Sequence, residues 1–390
     1  MTADDSSTNL HTNRPSVYLD QWVWSRLAAA ADGRPNGPND VEVLTEVKSA
    51  SAAGVAFPLS ATHYIETTGV NEVVQRIALS GIMSEVTHMR TLKSRHLLLL
   101  DQFFNAMENL LGRQNSASSL DPLGVGVYWA FSGEARKLSM KIPRELEPSG
   151  LPPLSPELLC RMTQWAETQF LCGPRDEDVE RLRTEYGYRP ESTQESGAMR
   201  LESEELYKGS LGDDAVSRKE LRLRIQAREL IHEHVDLLDE LLESFGLTFN
   251  EAFGGDPELP GSARPKLVGF LDSIPSMRIS VDMKFELFRD SGRTWKVNDL
   301  RDIDALSLAI PYCHLVVADK AAVQSVRNSK ADLRCDTKVT RHIEELIDIL
   351  PKLAEKSRNL TGDRSGWDWC SPGVGFRPLS PEMLALERMA

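Results

Sequence analysis

Acidic side chains stand where predicted strands end or predicted helices begin along this chain. Asp20 ends the apolar run SVYLD, and Asp319 directly follows a second β-rich run, HLVVA. Glu66 lies in a helix that is predicted to follow the apolar run GVAFPL. The helix predicted before Asp319 carries a further acidic group, which comprises Asp299, Asp302 and Asp304. These acids are the candidates for one site.

Carboxylates at such positions indicate metal chemistry. In parallel sheets the carboxyl ends of neighbouring strands converge on one edge, where such sheets build their sites. Acids brought together there repel one another unless a divalent cation lies among them, and hard oxygen ligands suit Mg²⁺ or Mn²⁺. Such an ion can generate a hydroxide nucleophile and stabilise the leaving oxygen of a phosphodiester. This chemistry requires no Cys, Ser or His nucleophile.

Each acid also has an ordinary structural interpretation. Asp20 and Asp319 are typical of turn residues at strand ends, and Glu66 is typical of a solvated helix residue. The acids at 299, 302 and 304 fit a helix cap and a complement to the helix dipole. Their joint order along the chain, rather than any one of them, favours a shared site.

Strands and helices alternate at both ends of the chain, whereas long amphipathic helices alone are predicted between them. Ser60 is a good N-cap for the helix that carries Glu66, and two prolines, Pro311 and Pro351, are expected to end or break helices. Strands are predicted over 16–20, 54–59, 314–318 and 333–337.

Three segments of this sequence carry a family resemblance. They are YLD (18–20), PLSATHYIET (58–67) and NDLRDIDALSLAIPYCHLVVADK (298–320). In this order they resemble the PIN-like nucleases. The resemblance implies an α/β/α sandwich with a mainly parallel sheet, in which 16–70 and 270–350 form one discontinuous core. An all-α insertion would span 71–269, and 351–390 would form a C-terminal tail.

The same resemblance implies a site and an activity. Asp20, Glu66, Asp302 and Asp319 would be both the catalytic residues and ligands of Mg²⁺ or Mn²⁺, with Asp299 as an auxiliary metal ligand. The activity would be endonucleolytic cleavage of nucleic acid, with RNA as the expected substrate. His314 stands where related sequences often carry an acid, so it is left out of the site.

The charge of −13 argues against a protein that coats nucleic acid through a bulk positive field. A carboxylate metal site with a local basic rim remains compatible with that charge. Two basic runs, more typical of solvated faces, are the candidates for phosphate contacts. They comprise Arg90, Lys93, Arg95 and His96, and Arg218, Lys219, Arg222, Arg224 and Arg228.

Other features bear on the compartment. The first fifteen residues lack the pattern of a signal peptide, and no apolar run approaches the roughly 18 residues of a membrane span. We therefore expect a soluble, cytoplasmic protein without a membrane partner. The five cysteines are widely scattered and form no CxxC motif, so reduced thiols are expected.

Two alternatives to a metal-dependent nuclease stay open. Arg228 and His234 have the Arg–x5–His spacing of the HEPN ribonucleases, which are metal-independent. A non-catalytic PIN-like scaffold with a helical protein-binding module is the second alternative. A toxin or host-defence effector held in check by an antitoxin or another regulatory protein is a natural setting for a nuclease, and the insertion would cover the site, bind the substrate or form a homodimer.

Overall fold

The residues that this computed structural model describes are mostly helical and include five short strands. The structure describes residues 10–12, 14–113, 122–134, 155–210, 217–254, 264–290 and 292–360. The strands are β1 (Val17–Leu19), β2 (Arg90–Leu92), β3 (Leu123–Val125), β4 (Leu315–Val317) and β5 (Lys338–Thr340). The α-helices are α1 (Gln21–Ala31), α2 (Asp40–Ala52), α3 (Ala61–Thr68), α4 (Val73–Thr87), α5 (Arg95–Leu110), α6 (Gly126–Ser132), α7 (Pro156–Cys172), α8 (Asp176–Tyr186), α9 (Glu191–Ser210), α10 (Arg218–Glu229), α11 (Val235–Phe245), α12 (Phe249–Phe253), α13 (Arg264–Asp272), α14 (Pro275–Arg289), α15 (Val297–Tyr312), α16 (Lys320–Asn328), α17 (Ala331–Cys335) and α18 (Glu345–Asn359).

A parallel three-stranded sheet joins the two ends of the chain. Its strand order is β1-β4-β5, and both pairings are parallel. Leu19 is in register with Val317, so the residues that follow β1 and β4 emerge at the same edge. The predicted α/β class with a mainly parallel sheet is therefore confirmed, whereas the finer assignment to a PIN-like sandwich stays a prediction.

Alternate residues of the sheet enter two different hydrophobic clusters. Val17 and Leu19 pack with the apolar side chains of α1, α2, α4 and α18. Tyr18 and Val316 pack in the other cluster, with residues of α5, α14, α15 and α16. This alternation is what a strand buried on both faces requires, because successive side chains point to opposite faces. Helices therefore cover both faces of the sheet.

An all-helical middle region was predicted for 71–269, and this prediction is wrong. The strands β2 and β3 form an antiparallel pair within it. The region also shares both hydrophobic clusters with the ends of the chain; Met83 lies in one and Phe103 in the other. Its helices thus pack directly on the parallel sheet's core, and the boundaries at 70 and 270 stay predictions.

Two predicted strands differ from the structure. The segment 54–59 makes only isolated bridges, from Ala56 to Ser16 and from Leu59 to Thr91. Pro58 between them lacks the N–H that a ladder needs, which explains why no continuous strand forms. The strand predicted at 333–337 is displaced, because 331–335 is α17 and the strand begins at Lys338.

The two prolines behave differently from each other. Helix α15 ends at Tyr312, one residue after Pro311, close to the predicted stop. Helix α18 instead continues through Pro351 to Asn359, so the predicted break there is wrong. Leu346, Leu350 and Ala354 are buried in the cluster that contains α2, and this packing outweighs the missing hydrogen bond. The predicted tail thus begins with helix, and 361–390 lies outside the described residues.

The cysteines only partly match the expectation of reduced thiols. Cys172, Cys313 and Cys335 are free and buried. Cys160 is disulfide-bonded, so the expectation is wrong for that residue. Among the helices that the structure describes, none is long and apolar enough to cross a membrane.

A buried ionic network fixes the helical middle of the chain to α14. Lys284 Nζ lies 2.9 Å from Glu204 Oε1 of α9 and 2.5 Å from Glu229 Oε2 of α10. All three residues are almost fully buried. Burial alone would raise the pKa of Glu229, but the cations of Lys284 and Arg95 outweigh it and hold that pKa far below its ordinary value. The network therefore depends on its cations.

We expect Lys284→Met to destabilise the protein strongly. The substitution removes the cation that Glu204 and Glu229 share and leaves each of these buried carboxylates with one arginine partner, Arg228 or Arg95. Breaking a buried ion pair in this way typically costs about 3–5 kcal/mol. Arg264→Met is the matched control, because Arg264 pairs with Glu220 at the surface, where such a pair contributes about 0–1 kcal/mol. Urea unfolding of both variants measures the difference. Equal free energies of unfolding would contradict this role of Lys284.

Candidate active site

Asp20 and Asp319 lie at the ends of neighbouring strands, and each also caps a helix. The Asp20 N–H donates to Val317 O at 2.9 Å, which fixes the end of β1 beside β4. The Asp20 carboxylate accepts from Gln21 N at 2.6 Å, and the Asp319 carboxylate accepts from Ala322 N at 2.7 Å. Both acids are therefore held by backbone groups rather than by cationic side chains.

Helix α3 holds Glu66 beside this edge through His63, a residue that the sequence interpretation missed. His63 is buried, and its Nδ1 accepts from Ser60 N at 2.9 Å. Its Nε2 donates to Leu19 O at 2.8 Å, so the proton resides on Nε2. Burial lowers the pKa of His63 to about 4, which keeps the ring neutral. The ring thus binds the start of α3 to the end of β1, and its place three residues after the N-cap was the available signal.

The three acids of α15 have separate roles. Asp299 accepts from Lys296 N at 2.8 Å and pairs with Arg293, so it caps the helix as its ordinary interpretation predicted. Asp304 accepts two hydrogen bonds from Arg200, at 2.7 and 3.2 Å. Asp302 lies further along the helix than its capping residues. The auxiliary metal role of Asp299 stays a prediction.

Glu66 and Asp302 are partly buried carboxylates without a local partner. In the part of the chain that the structure describes, neither makes a hydrogen bond or an ion pair. Burial raises the pKa of Asp302 to about 8, helped by the charges of Asp20, Asp319, Glu66 and Asp299. Such a group is costly to hold in a folded protein, which marks it as a candidate for function.

The same electrostatic environment extends to the other acids. Burial is the largest cause of the raised pKa of Glu66, about 7, and the charge of Asp20 adds to it while Arg301 opposes it. The pKa of Asp20 is raised to about 6, first by burial and then by Asp319, although backbone N–H groups counteract part of the shift. The structure thus brings Asp20, Glu66, Asp302 and Asp319 within range of one another's charge.

Acids that influence one another's charge do not by themselves form a metal site. Within the described ranges, no three His, Cys, Asp or Glu side chains stand in an arrangement ready to hold a metal ion. The donor set nevertheless has the right chemistry, because it consists of carboxylate oxygens, which are the ligands that Mg²⁺ and Mn²⁺ prefer. A cation shared by the four acids stays a prediction.

Two cavities border α15 near these acids. One, of about 470 Å³, lies between α14, α15 and α16, and its lining includes Asp299, Asp302, Arg289 and Arg293. The other, of about 350 Å³, lies between α3, α9 and α15. Asp302 is therefore accessible from the first cavity.

The residues of the HEPN-like alternative are not presented to a substrate. Arg228 pairs with Glu204 at 3.2 Å and lies 4.7 Å over the ring of Tyr207. His234 ends a π-helical turn over Leu230–His234 and is 5% exposed. Burial lowers the pKa of His234 to about 4, which keeps its ring neutral within the core.

The basic runs are largely engaged in ion pairs as well. Lys93 pairs with Asp101, and Arg95 pairs with Glu229. Arg222 lies 2.9 Å from both Asp272 and Asp282, and Arg224 pairs with Glu220. These cations are therefore weak candidates for phosphate contacts.

Comparisons with known proteins do not assign the site. No protein-family model, no curated protein and no solved structure matches this chain.

The stability of the metal-free protein should depend on pH through Asp302. Because its folded pKa is raised, the native state holds a proton that the unfolded state has released, so this contribution to stability falls as pH rises towards about 8. One proton contributes no more than about 1.4 kcal/mol per pH unit, and solvent screening reduces that value. Asp302→Asn should therefore gain stability relative to the wild type between pH 6 and pH 8 in EDTA.

Urea unfolding at pH 6, 7 and 8 measures this change. Asp239→Asn is the control, because Asp239 is exposed on α11. If the free energy of unfolding changes with pH in the same way in the wild type and in Asp302→Asn, the prediction is contradicted, because the Asp302 carboxyl would then titrate alike in the folded and unfolded states.

Proposed function

We propose that this chain is a metal-dependent nuclease that hydrolyses phosphodiester bonds with Mg²⁺ or Mn²⁺, and that its substrate is RNA. One observation carries the proposal: Glu66 and Asp302 are partly buried and unpaired in the described structure, and they share their surroundings with Asp20 and Asp319. The order of these acids along the chain, which resembles that of PIN-like nucleases, supports a PIN-like core with a large insertion.

The energetics of the acids favour a cation as their natural partner. Like charges in a partly buried site destabilise the fold. Protonation relieves the repulsion, but it also removes the negative charge that a carboxylate needs to bind a metal ion. Asp20, Glu66, Asp302 and Asp319 would hold the metal, which when bound supplies a polarised water and stabilises the charge on a leaving oxygen. The chain's own contribution is to orient these four groups, through strand ends and the His63 hydrogen bonds.

The acidic balance of the chain agrees with a site of limited reach. With a net charge of −13, contacts to phosphates must be local to the site. An unrestrained nuclease is toxic to its host, so we include a regulatory protein or antitoxin among the proposed partners. Cytoplasmic location and a homodimer through the helical region belong to the same proposal.

Asp302→Asn should abolish cleavage while leaving the protein folded. It removes a metal-binding oxygen and also relieves repulsion, so the melting temperature in EDTA should be unchanged or higher. Loss of activity should exceed the roughly 10- to 100-fold that is typical when a group supporting a metal ligand is removed. The stabilisation that Mn²⁺ gives the wild type should shrink in the variant. Asp239→Asn should match the wild type in every assay.

Cleavage of total RNA and plasmid DNA with Mg²⁺, Mn²⁺ or EDTA tests the assignment. A destabilised but active Asp302→Asn protein would remove Asp302 from the site. Activity that persists in EDTA and disappears in His234→Ala would favour the HEPN-like alternative. Absence of cleavage with every metal and substrate would favour the non-catalytic scaffold.

A further inference from the structure

The cavity between α3, α9 and α15 has the chemistry of an anion site. Hydroxyl side chains contribute to its lining from α3 (Thr62) and from α9 (Ser192, Thr193 and Ser196). Two guanidinium groups, of Arg200 and Arg301, also line it, together with the carboxylate of Asp304. Neutral hydroxyl donors beside guanidinium groups are the usual partners of phosphate oxygens.

The two guanidinium groups differ in what already neutralises them. Arg200 is committed to Asp304 through two hydrogen bonds. Arg301 has no hydrogen bond and no ion pair among the described residues, and it is partly exposed. The positive charge of Arg301 acts on Glu66, where it opposes the rise in pKa that burial causes. Arg301 is therefore an available cation that stands beside the candidate active site.

Sequence neighbours on α15 link this cavity to the other one. Arg301 lines the cavity at α3 and α9, and Asp302, the next residue, lines the cavity at α14 and α16. A phosphate bound at Arg301 and a phosphodiester bound at Asp302 would therefore contact adjacent residues of one helix. The pocket requires α9, which belongs to the helical middle of the chain.

We propose that this cavity binds a phosphate group of the substrate strand next to the phosphodiester that is cut. Arg301 is its charged ligand, and the hydroxyl groups of Thr62, Thr193 and Ser196 are neutral donors. This inference rests on the proposed nuclease function. It adds a substrate contact, at Arg301, to the contacts made by the four carboxylates. It also assigns the helical middle a role in substrate binding.

Arg301→Gln tests the pocket, with Arg301→Lys as the variant that keeps the charge and Arg358→Gln on α18 as the matched control. The probe is a fluorescein-labelled single-stranded 12-nucleotide RNA, and its Kd is measured in EDTA across several salt concentrations. Arg301→Gln should raise Kd about 10-fold and lower the salt slope by about 0.7, the value for one phosphate contact on a single strand. Arg301→Lys should restore most of the slope, and Arg358→Gln should behave as the wild type.

Kinetics with Mn²⁺ separate this role from support of the carboxylates. The proposal expects KM to rise with kcat nearly unchanged in Arg301→Gln. A fall in kcat at unchanged KM, or an unchanged Kd and salt slope, would overturn it and leave Arg301 as a neutralising neighbour of Glu66. If the wild type cleaves nothing, the nuclease function fails, while the binding measurements in EDTA still decide whether Arg301 contacts RNA phosphate.

Discussion

The parallel pairing of β1 with β4 is the contact on which the candidate site depends. Each strand has three residues, and the hydrogen bond from Ser16 N to His314 Nδ1 beside them spans 298 residues of sequence. The pairing sets Asp20 and Asp319 at one edge, because Asp20 directly follows β1 and Asp319 comes two residues after the end of β4. Everything else in the site is positioned relative to that edge, α3 by His63 and α15 by its packing in the core.

This arrangement brings four acids together, and none of them forms an ion pair with a lysine or arginine among the described residues. Elsewhere, buried acids such as Glu229 and Asp304 meet Lys or Arg side chains, which keep their pKa values low. At the sheet edge the pKa values of Asp20, Glu66 and Asp302 are raised instead. The contrast within one chain argues that the unpaired acids are not a general feature of an acidic protein. The two hydrophobic clusters and the buried ionic network must supply the stability that these acids take away.

The placement of Asp20 and Asp319 after two paired strands was predictable from sequence, and the reasons for the failures are local. Short apolar runs ending in an acid located β1, β4 and their aspartates, because strand length and the following helix start agree there. Periodicity could not show that Asp299 and Asp304 have partners while Asp302 has none among the described residues, since Arg293 and Arg200 reach the first two only in the folded chain. The misplaced strand at 333–337 and the expected break at Pro351 fail for a related reason, because tertiary packing decided both.

The distance in sequence between β1 and β4 also determines when the four acids can come together during synthesis of the chain. At about 5–20 residues per second, β4 leaves the ribosome roughly 15 to 60 s after β1. Until then Asp20 and Glu66 belong to a chain whose sheet has only one of its three parallel strands. Asp319 is made only when about four-fifths of the 390-residue chain has been synthesised, so a nascent copy carries no complete set of the four carboxylates before that point.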